Sequence, residues 1–360
     1  MQRGPRLGPW GSLALAALVA CARAEPTAET LTVDAPTAPP PAPAPTRSPV
    51  VPSAAPTGVL EIPALTAEQR QKGFDECNPA DPLGLGPYAP FIPLLLGKLM
   101  VPQKGGHTPD FGFDVLIHFN GGDAARKLLT QVARGISLVI IDKPNGGAYE
   151  QAFGTPAAFG ALRKSIERAL VKHTGKPEAH IRHLGISAWS AGTMAVDKIL
   201  SQQQPGIDAV VILDGLHGAW KLHAPREQKT SSLDVRFVKH EVELARRAQK
   251  GELSFFLTHS HIDPGTFPST FATAASIVEE LGLTPLKNEP RDEPHPRTSS
   301  LDVGGLHVWG HAGNDVKAHC SELALLAPIV SRYLEPAWNT PAMDREVPPT
   351  PLWGGAPKTR

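Results

Sequence analysis

This 360-residue sequence has no net charge, because 35 Lys and Arg balance 35 Asp and Glu. Binding to a phosphate backbone needs a concentrated basic face, so nucleic acid is not an expected partner. There is no apolar run at the N-terminus long enough to cross a bilayer, since Ser12 to Ala20 falls well short of a span. Despite 14 histidines, the chain lacks both an HExxH motif and a closed Cys/His ligand set. His259 and His261 form an HxH, and His217, His223, His307 and His311 are scattered. That pattern reads as surface or core histidine, so neither a metal nor another cofactor is expected. No internal repeat points to a solenoid or propeller.

Cysteine is scarce, with only three residues. Arg3 and Arg6 precede the short apolar run, which reads as an export signal over residues 1–24. Leu18-Val19-Ala20-Cys21 resembles a bacterial lipobox with Cys21 as the acylated residue, and Ala22-Arg23-Ala24 fits ordinary signal cleavage. The lipoprotein reading is preferred because the run ends on a cysteine and a long spacer follows. It implies an exported protein on an outer or cell-surface membrane, touching the bilayer only through a lipid on Cys21. The alternative is a soluble periplasmic or extracellular protein. An oxidising compartment permits a bridge between Cys77 and Cys320 or leaves both as buried thiols.

Residues 25–58 are rich in Pro, Ala and Thr and hold few large apolar groups. Such a segment cannot bury enough surface to offset its ordering entropy, so it reads as an extended spacer. Residues 59–336 are expected to form one catalytic domain and 337–360 an irregular tail. Within the domain, six apolar runs have the length of buried strands: Phe113–Phe119, Ser137–Asp142, His183–Ala188, Ala209–Asp214, Ser254–Thr258 and Leu306–Trp309. Helical stripes fill the gaps. One follows Asp123, a candidate N-cap, and another is Phe159, Leu162, Ile166 and Leu170, stopped by Gly175 and Pro177. Further helical segments are expected near 233–249, 271–281 and 315–334. Alternation of this kind predicts an α/β fold, a mostly parallel sheet with helices on both faces.

The third strand runs straight into Ala188-Trp189-Ser190-Ala191-Gly192 and then a helical segment. Strand, sharp turn and helix lift a serine hydroxyl above a parallel sheet. From about Gly105 to Leu334 the chain resembles the α/β-hydrolase superfamily, whose GxSxG motif is here AWSAG, with Ala188 in place of the first glycine. The resemblance implies a nucleophilic Ser190 and a histidine base after the last strand. His311 and His319 both lie there. His319 is preferred because a residue beyond a loop can fold back toward the nucleophile.

The third member is a carboxylate that orients the imidazole. Asp214 after the fourth apolar run and Asp263 after the fifth both qualify, with Asp214 slightly ahead because it directly follows a fully apolar strand. The HFNGG segment after the first run resembles the oxyanion loop of esterases, so Asn120, Gly121, Gly122 and Ala191 are the expected oxyanion and substrate-binding residues. The implied function is a secreted or surface-anchored serine hydrolase, a carboxylesterase that takes a small-molecule ester through an acyl-enzyme. A noncatalytic surface-binding protein of the same fold and a serine peptidase are the alternatives. Oligomeric state is not legible. The segment GLGPYAPFIPLLLGKLMVP and the insertion from Gly215 to Glu252 are expected to flank the pocket, the first as either an acyl-binding wall or a cover for the sheet edge.

Overall fold

The central apolar runs form strands that alternate their side chains between two buried layers. In the first of them, Val115, Ile117 and Phe119 enter one layer while Leu116 enters the other. Farther along, Val210, Ile212, Phe255 and Leu257 share the first layer, and Val211, Leu213 and Phe256 the second. A sheet buried on both faces has no polar side, which is why these strands read as continuous apolar runs rather than as alternating ones.

The structure is a computed structural model that describes residues 65–289 and 295–344, all within one compact unit. The expected export signal with Cys21, the spacer and the end of the tail lie outside the described residues. The strands described are β1 (Ile92–Pro93), β2 (Lys98–Met100), β3 (Gly112–Phe119), β4 (Ser137–Ile141), β5 (His180–Trp189), β6 (Ala209–Leu213), β7 (Ser254–His259), β8 (Leu286–Lys287), β9 (Arg297–Val303) and β10 (Leu306–His311). The helices are α1 (Ala67–Gln71), α2 (Gly122–Val132), α3 (Gly146–Phe153), α4 (Pro156–Thr174), α5 (Thr193–Ser201), α6 (Lys239–Gln249), α7 (Thr270–Glu280), α8 (Val316–Ala324), α9 (Leu326–Ile329) and α10 (Glu335–Trp338).

The sheet order is β1-β2-β4-β3-β5-β6-β7-β10-β9-β8. From β4 to β10 every neighbouring pair is parallel, and the flanking strands are antiparallel. Helices α3 to α7 supply the first apolar layer, and α2 with α8 to α10 the second. The expected mostly parallel α/β sheet, covered on both faces, is the observed fold. The chain leaves β3 toward β4 on one side and β5 toward β6 on the other. The strand order therefore reverses between β3 and β5, and a crevice opens at their C-terminal ends, where open α/β sheets place their ligands.

Several local expectations are corrected. Helix α2 is capped by Gly121 in the left-handed region, not by Asp123, which sits in the first turn and pairs with Arg126 and Lys127. Of the two readings of the apolar run before Gly105, the sheet-edge one matches the pairing, since β1 and β2 extend the sheet edge beyond β4. Packed structure also continues past the expected boundary at 336. The Trp338 indole is buried and stacks on His183 at 5.5 Å, and the Met343 N–H donates to Arg134 O at 2.7 Å. Largely polar, β8 and β9 carry no apolar run that would announce them; β9 forms against the edge of β10, and the two-residue β8 against β9.

Candidate active site

Three neighbouring strands end in the same unusual way. Asn120 after β3, Ser190 after β5 and Asp214 after β6 all have positive φ, at 70°, 53° and 42°. For residues with a Cβ this is the strained left-handed region, which persists only where surrounding packing over-determines it. Here it turns each residue sharply off its strand at the rim of the crevice.

Trp189 is still extended, with φ −117° and ψ 139°; Ser190 opens a 3-10 turn through Gly192, and α5 begins at Thr193. The local cause is steric. Gly192 lies against β3 so closely that a Cβ there would sit 2.2 Å from Phe119 O. Ala188, the alanine in the first glycine position of the motif, is fully buried between β3 and β6. Its methyl is accommodated, so the departure from glycine costs the turn nothing visible. Gly215, next to Asp214, likewise presses on the serine backbone: a Cβ there would be 2.5 Å from Ser190 O. These contacts hold the β5 and β6 ends together.

The Asp214 side chain is almost wholly buried and accepts four hydrogen bonds. Ser260 N–H donates at 2.9 Å and Thr270 Oγ1 at 2.6 Å to one oxygen; Ser260 Oγ at 2.7 Å and His319 Nδ1 at 2.8 Å donate to the other. Burial opposes the charge, but the hydrogen bonds from His319, Ser260 and Thr270 overcome it and hold the carboxyl down at about 2. An ionised acceptor fixes the proton of His319 on Nδ1 and leaves Nε2 as the basic nitrogen. Around the imidazole, the Trp189 indole packs at 4.8 Å between centroids, and Trp189 Nε1 donates to His319 O at 2.9 Å. The residue preceding the serine thus holds the histidine from a second side. Among the described residues, no hydrogen bond closes from the Ser190 hydroxyl to the imidazole. Such contacts are often long before substrate is bound.

Of the two histidines and two aspartates considered from sequence, the structure brings His319 and Asp214 together. His311 is buried with Nδ1 3.0 Å from Glu322 Oε1, an ion-pair distance without hydrogen-bond alignment. Asp263 is exposed, accepting from Gln228 Nε2 at 2.6 Å and from Gly265 N–H at 2.8 Å in its own loop. The β7 strand ends by pointing Ser260 at Asp214, and the chain then runs outward, which carries Asp263 away.

The oxyanion candidates divide in a similar way. The Asn120 N–H donates to Ile141 O at 3.2 Å and its side chain to Trp189 O at 3.2 Å. The Gly122 N–H is committed to Asp142 Oδ1 at 3.0 Å. Among the described residues no such partner claims the amides of Gly121 and Ala191, which sit at the starts of α2 and of the turn into α5. Two helix N-termini therefore face the crevice, where they favour developing negative charge.

Sequence reasoning missed the supporting shell. Trp189, Ser260 and Thr270 are ordinary residues in the sequence, and only their approach to His319 or Asp214 marks them. The bridge left open by the sequence is formed: Cys77 and Cys320 are joined, with Cα atoms 4.9 Å apart, which ties the segment after α1 to the residue following His319. Among the other histidines, the rings of His259 and His261 lie 6.0 Å apart. His217 donates to Pro268 O, with burial lowering its pKa, and His307 pairs with Asp302.

Fold and site together define a class: an α/β protein with a serine, a histidine and an aspartate assembled where the strand order reverses. No protein-family model and no curated protein matches the sequence. Among solved structures, the chain is similar to the enterobactin esterase FES of Shigella flexneri at 13 % identity and a TM-score of 0.38, over 72 % of this chain and 63 % of that one. It is similar to the enterochelin esterase of the same organism at 12 % identity and a TM-score of 0.40, over 70 % and 61 %. A third is LpqC, a poly(3-hydroxybutyrate) depolymerase from Bordetella parapertussis, at 16 % identity and a TM-score of 0.37, over 64 % and 82 %. The chain thus spans about three fifths of the two Shigella proteins. Similarity of this degree says nothing of substrate, and the fold rests on the strand order itself.

Proposed function

We propose that this protein is a serine hydrolase of carboxylic esters. Ser190 attacks the ester carbonyl while His319 Nε2 takes its proton, and Asp214 keeps the imidazole in the right tautomer and stabilises its cation. The alkoxide that forms on the carbonyl oxygen is received by the amides of Gly121 and Ala191. The same proton then passes from His319 to the departing alcohol, leaving an acyl group on Ser190. A water molecule, deprotonated by His319, releases the acid and restores the serine.

The observation that carries this reading is the 2.8 Å bond from His319 Nδ1 to a buried Asp214, alongside a serine held at φ 53° on the adjacent strand end. A noncatalytic binding protein has no need of a strained serine or of a carboxylate kept ionised behind an imidazole. Labelling of the wild-type protein by a fluorophosphonate, and its loss in Ser190→Ala, is the expected result. A folded wild-type protein that takes no label overturns the proposal.

We also propose that the enzyme works outside the cytoplasm, tethered through a lipid on Cys21. Support comes from the two arginines before the short apolar run and from the Cys77–Cys320 bridge, a bond favoured in oxidising compartments. Mass spectrometry of the mature protein from a bacterial host tests this, since an unmodified chain beginning after Ala24 refutes the anchor.

A further inference from the structure

A cavity of about 310 Å³ is lined by residues at the ends of β3, β4 and β5 next to the candidate site. Its lining begins with Gly121, the candidate oxyanion glycine, and Trp189, the residue before Ser190. Ala124 and Leu323 continue the wall, from α2 and α8. The Cys77–Cys320 bridge is part of the same lining. A group bonded to a carbonyl held by Gly121 has this space directly beside it.

We propose that this cavity is the subsite for a compact, uncharged group of the ester, and that the Cys77–Cys320 bridge sets how long that group can be. The inference rests on the reading of Ser190 as a nucleophile. Size follows from the volume, which is at the small end of ligand pockets, roughly 300–1,000 Å³. Charge follows from the lining, where Glu76 is paired with Arg70 and Asp123 with Arg126 and Lys127, each at 3.0 Å, so that no cation is left to receive an anion, and Asp142 adds a carboxylate that already accepts from the Gly122 N–H. An anionic group is therefore repelled, as like charges brought together in a partly dry site discriminate against a ligand. The length limit is covalent. Both bridge cysteines line the cavity, and without the bond Cys77 can shift away from α8, the residues just after it being held to α2 by Lys127 Nζ donating to Asn78 at 3.2 Å and Arg126 to Asp81 at 2.7 Å.

The test compares labelling rates of two fluorophosphonates, one with a short alkyl chain and one with a long one. The readout is the ratio of long to short, which a general loss of reactivity leaves unchanged. The wild-type protein is expected to react faster with the short compound. The Cys77→Ser, Cys320→Ser double variant should raise the ratio about tenfold, a typical value for one or more methylenes admitted to a pocket. Dithiothreitol on the wild-type chain should do the same without a substitution. Ala124→Phe, which fills the cavity, should slow the short compound, with thermal melting to show that the variant folds. A ratio unmoved by bridge removal and by reduction, while Ser190 still takes label, overturns the subsite and leaves the nucleophile standing. No labelling of Ser190 by either compound overturns the hydrolase reading and the subsite with it.

Discussion

Replacing Asp214 by Asn tests the site at its most connected atom pair. Both carboxylate oxygens accept, and all four of their partners are donors. An amide of the same shape turns one oxygen into an NH2 group, so two of those four donors lose an acceptor and meet a donor instead. If the NH2 faces Ser260 Oγ and His319, the imidazole must offer an unprotonated Nδ1, and its proton moves to the nitrogen that should be the base. The cation formed during attack also loses its counter-charge. In a serine triad this combination lowers turnover by about 10⁴-fold.

Stability falls as well. The carboxyl is held at about 2 against an ordinary 3.8, a difference worth about 2 kcal/mol at neutral pH. Stranded donors add roughly 1–3 kcal/mol. At about 2–4 °C per kcal/mol for a large domain, the melting temperature should drop by roughly 6–20 °C. Because the folded pKa is depressed, the contribution is complete above the unfolded value near 3.8 and is lost as pH falls toward 2. The wild-type protein should therefore lose its margin over Asp214→Asn in that acid window. Release of nitrophenol from an activated ester and melting curves from pH 2 to 7 measure both effects. Asp263→Asn is the control, since its side chain is exposed and accepts only from Gln228 and Gly265, through an oxygen that an amide keeps, and it should change neither. Turnover in Asp214→Asn within tenfold of wild type would refute the assignment, as would an equal loss in Asp263→Asn.

Other substitutions separate the remaining roles. His319→Gln should abolish turnover and lower melting by part of the Asp214 contribution, whereas His311→Gln should retain turnover while lowering stability, because His311 packs against buried Glu322; steady-state kinetics distinguishes them. Gly192→Ala forces a methyl to 2.2 Å from Phe119 O and should cost about 1–3 kcal/mol in denaturant unfolding, with activity falling as the turn shifts. Glu241 lies fully buried in the first turn of α6, where burial and the nearby Asp197 push its pKa up to about 8. A raised carboxyl pKa means stability falls as pH climbs from about 4.5 toward 8, so Glu241→Gln should melt higher than wild type at pH 8 and show a smaller difference at pH 5.

The sequence by itself determined the parts that depend on neighbours in the chain. Strands of apolar run, helices of 3.6-residue stripe and the tight Ala188–Gly192 turn are local patterns, and each of the six expected strands is present within a few residues of its expected limits. The Gly121 and Gly192 positions were legible for the same reason, as close approach and left-handed turns select glycine wherever they occur. What only the tertiary structure decided is partnership. Asp214 directly follows its apolar strand, which puts it only slightly ahead of Asp263 from sequence; β6 lies beside β5, so its end meets the serine turn, while the chain after β7 reaches the site only with Ser260 before turning outward. His319 was distinguished from His311 by the packing of α8 under Trp189, and Cys77 found Cys320 across 243 residues of chain. Hydrogen bonds and disulfides of that kind are set by sheet order and helix docking, which depend on the packing of both apolar layers at once and leave no periodic trace in the residues they join.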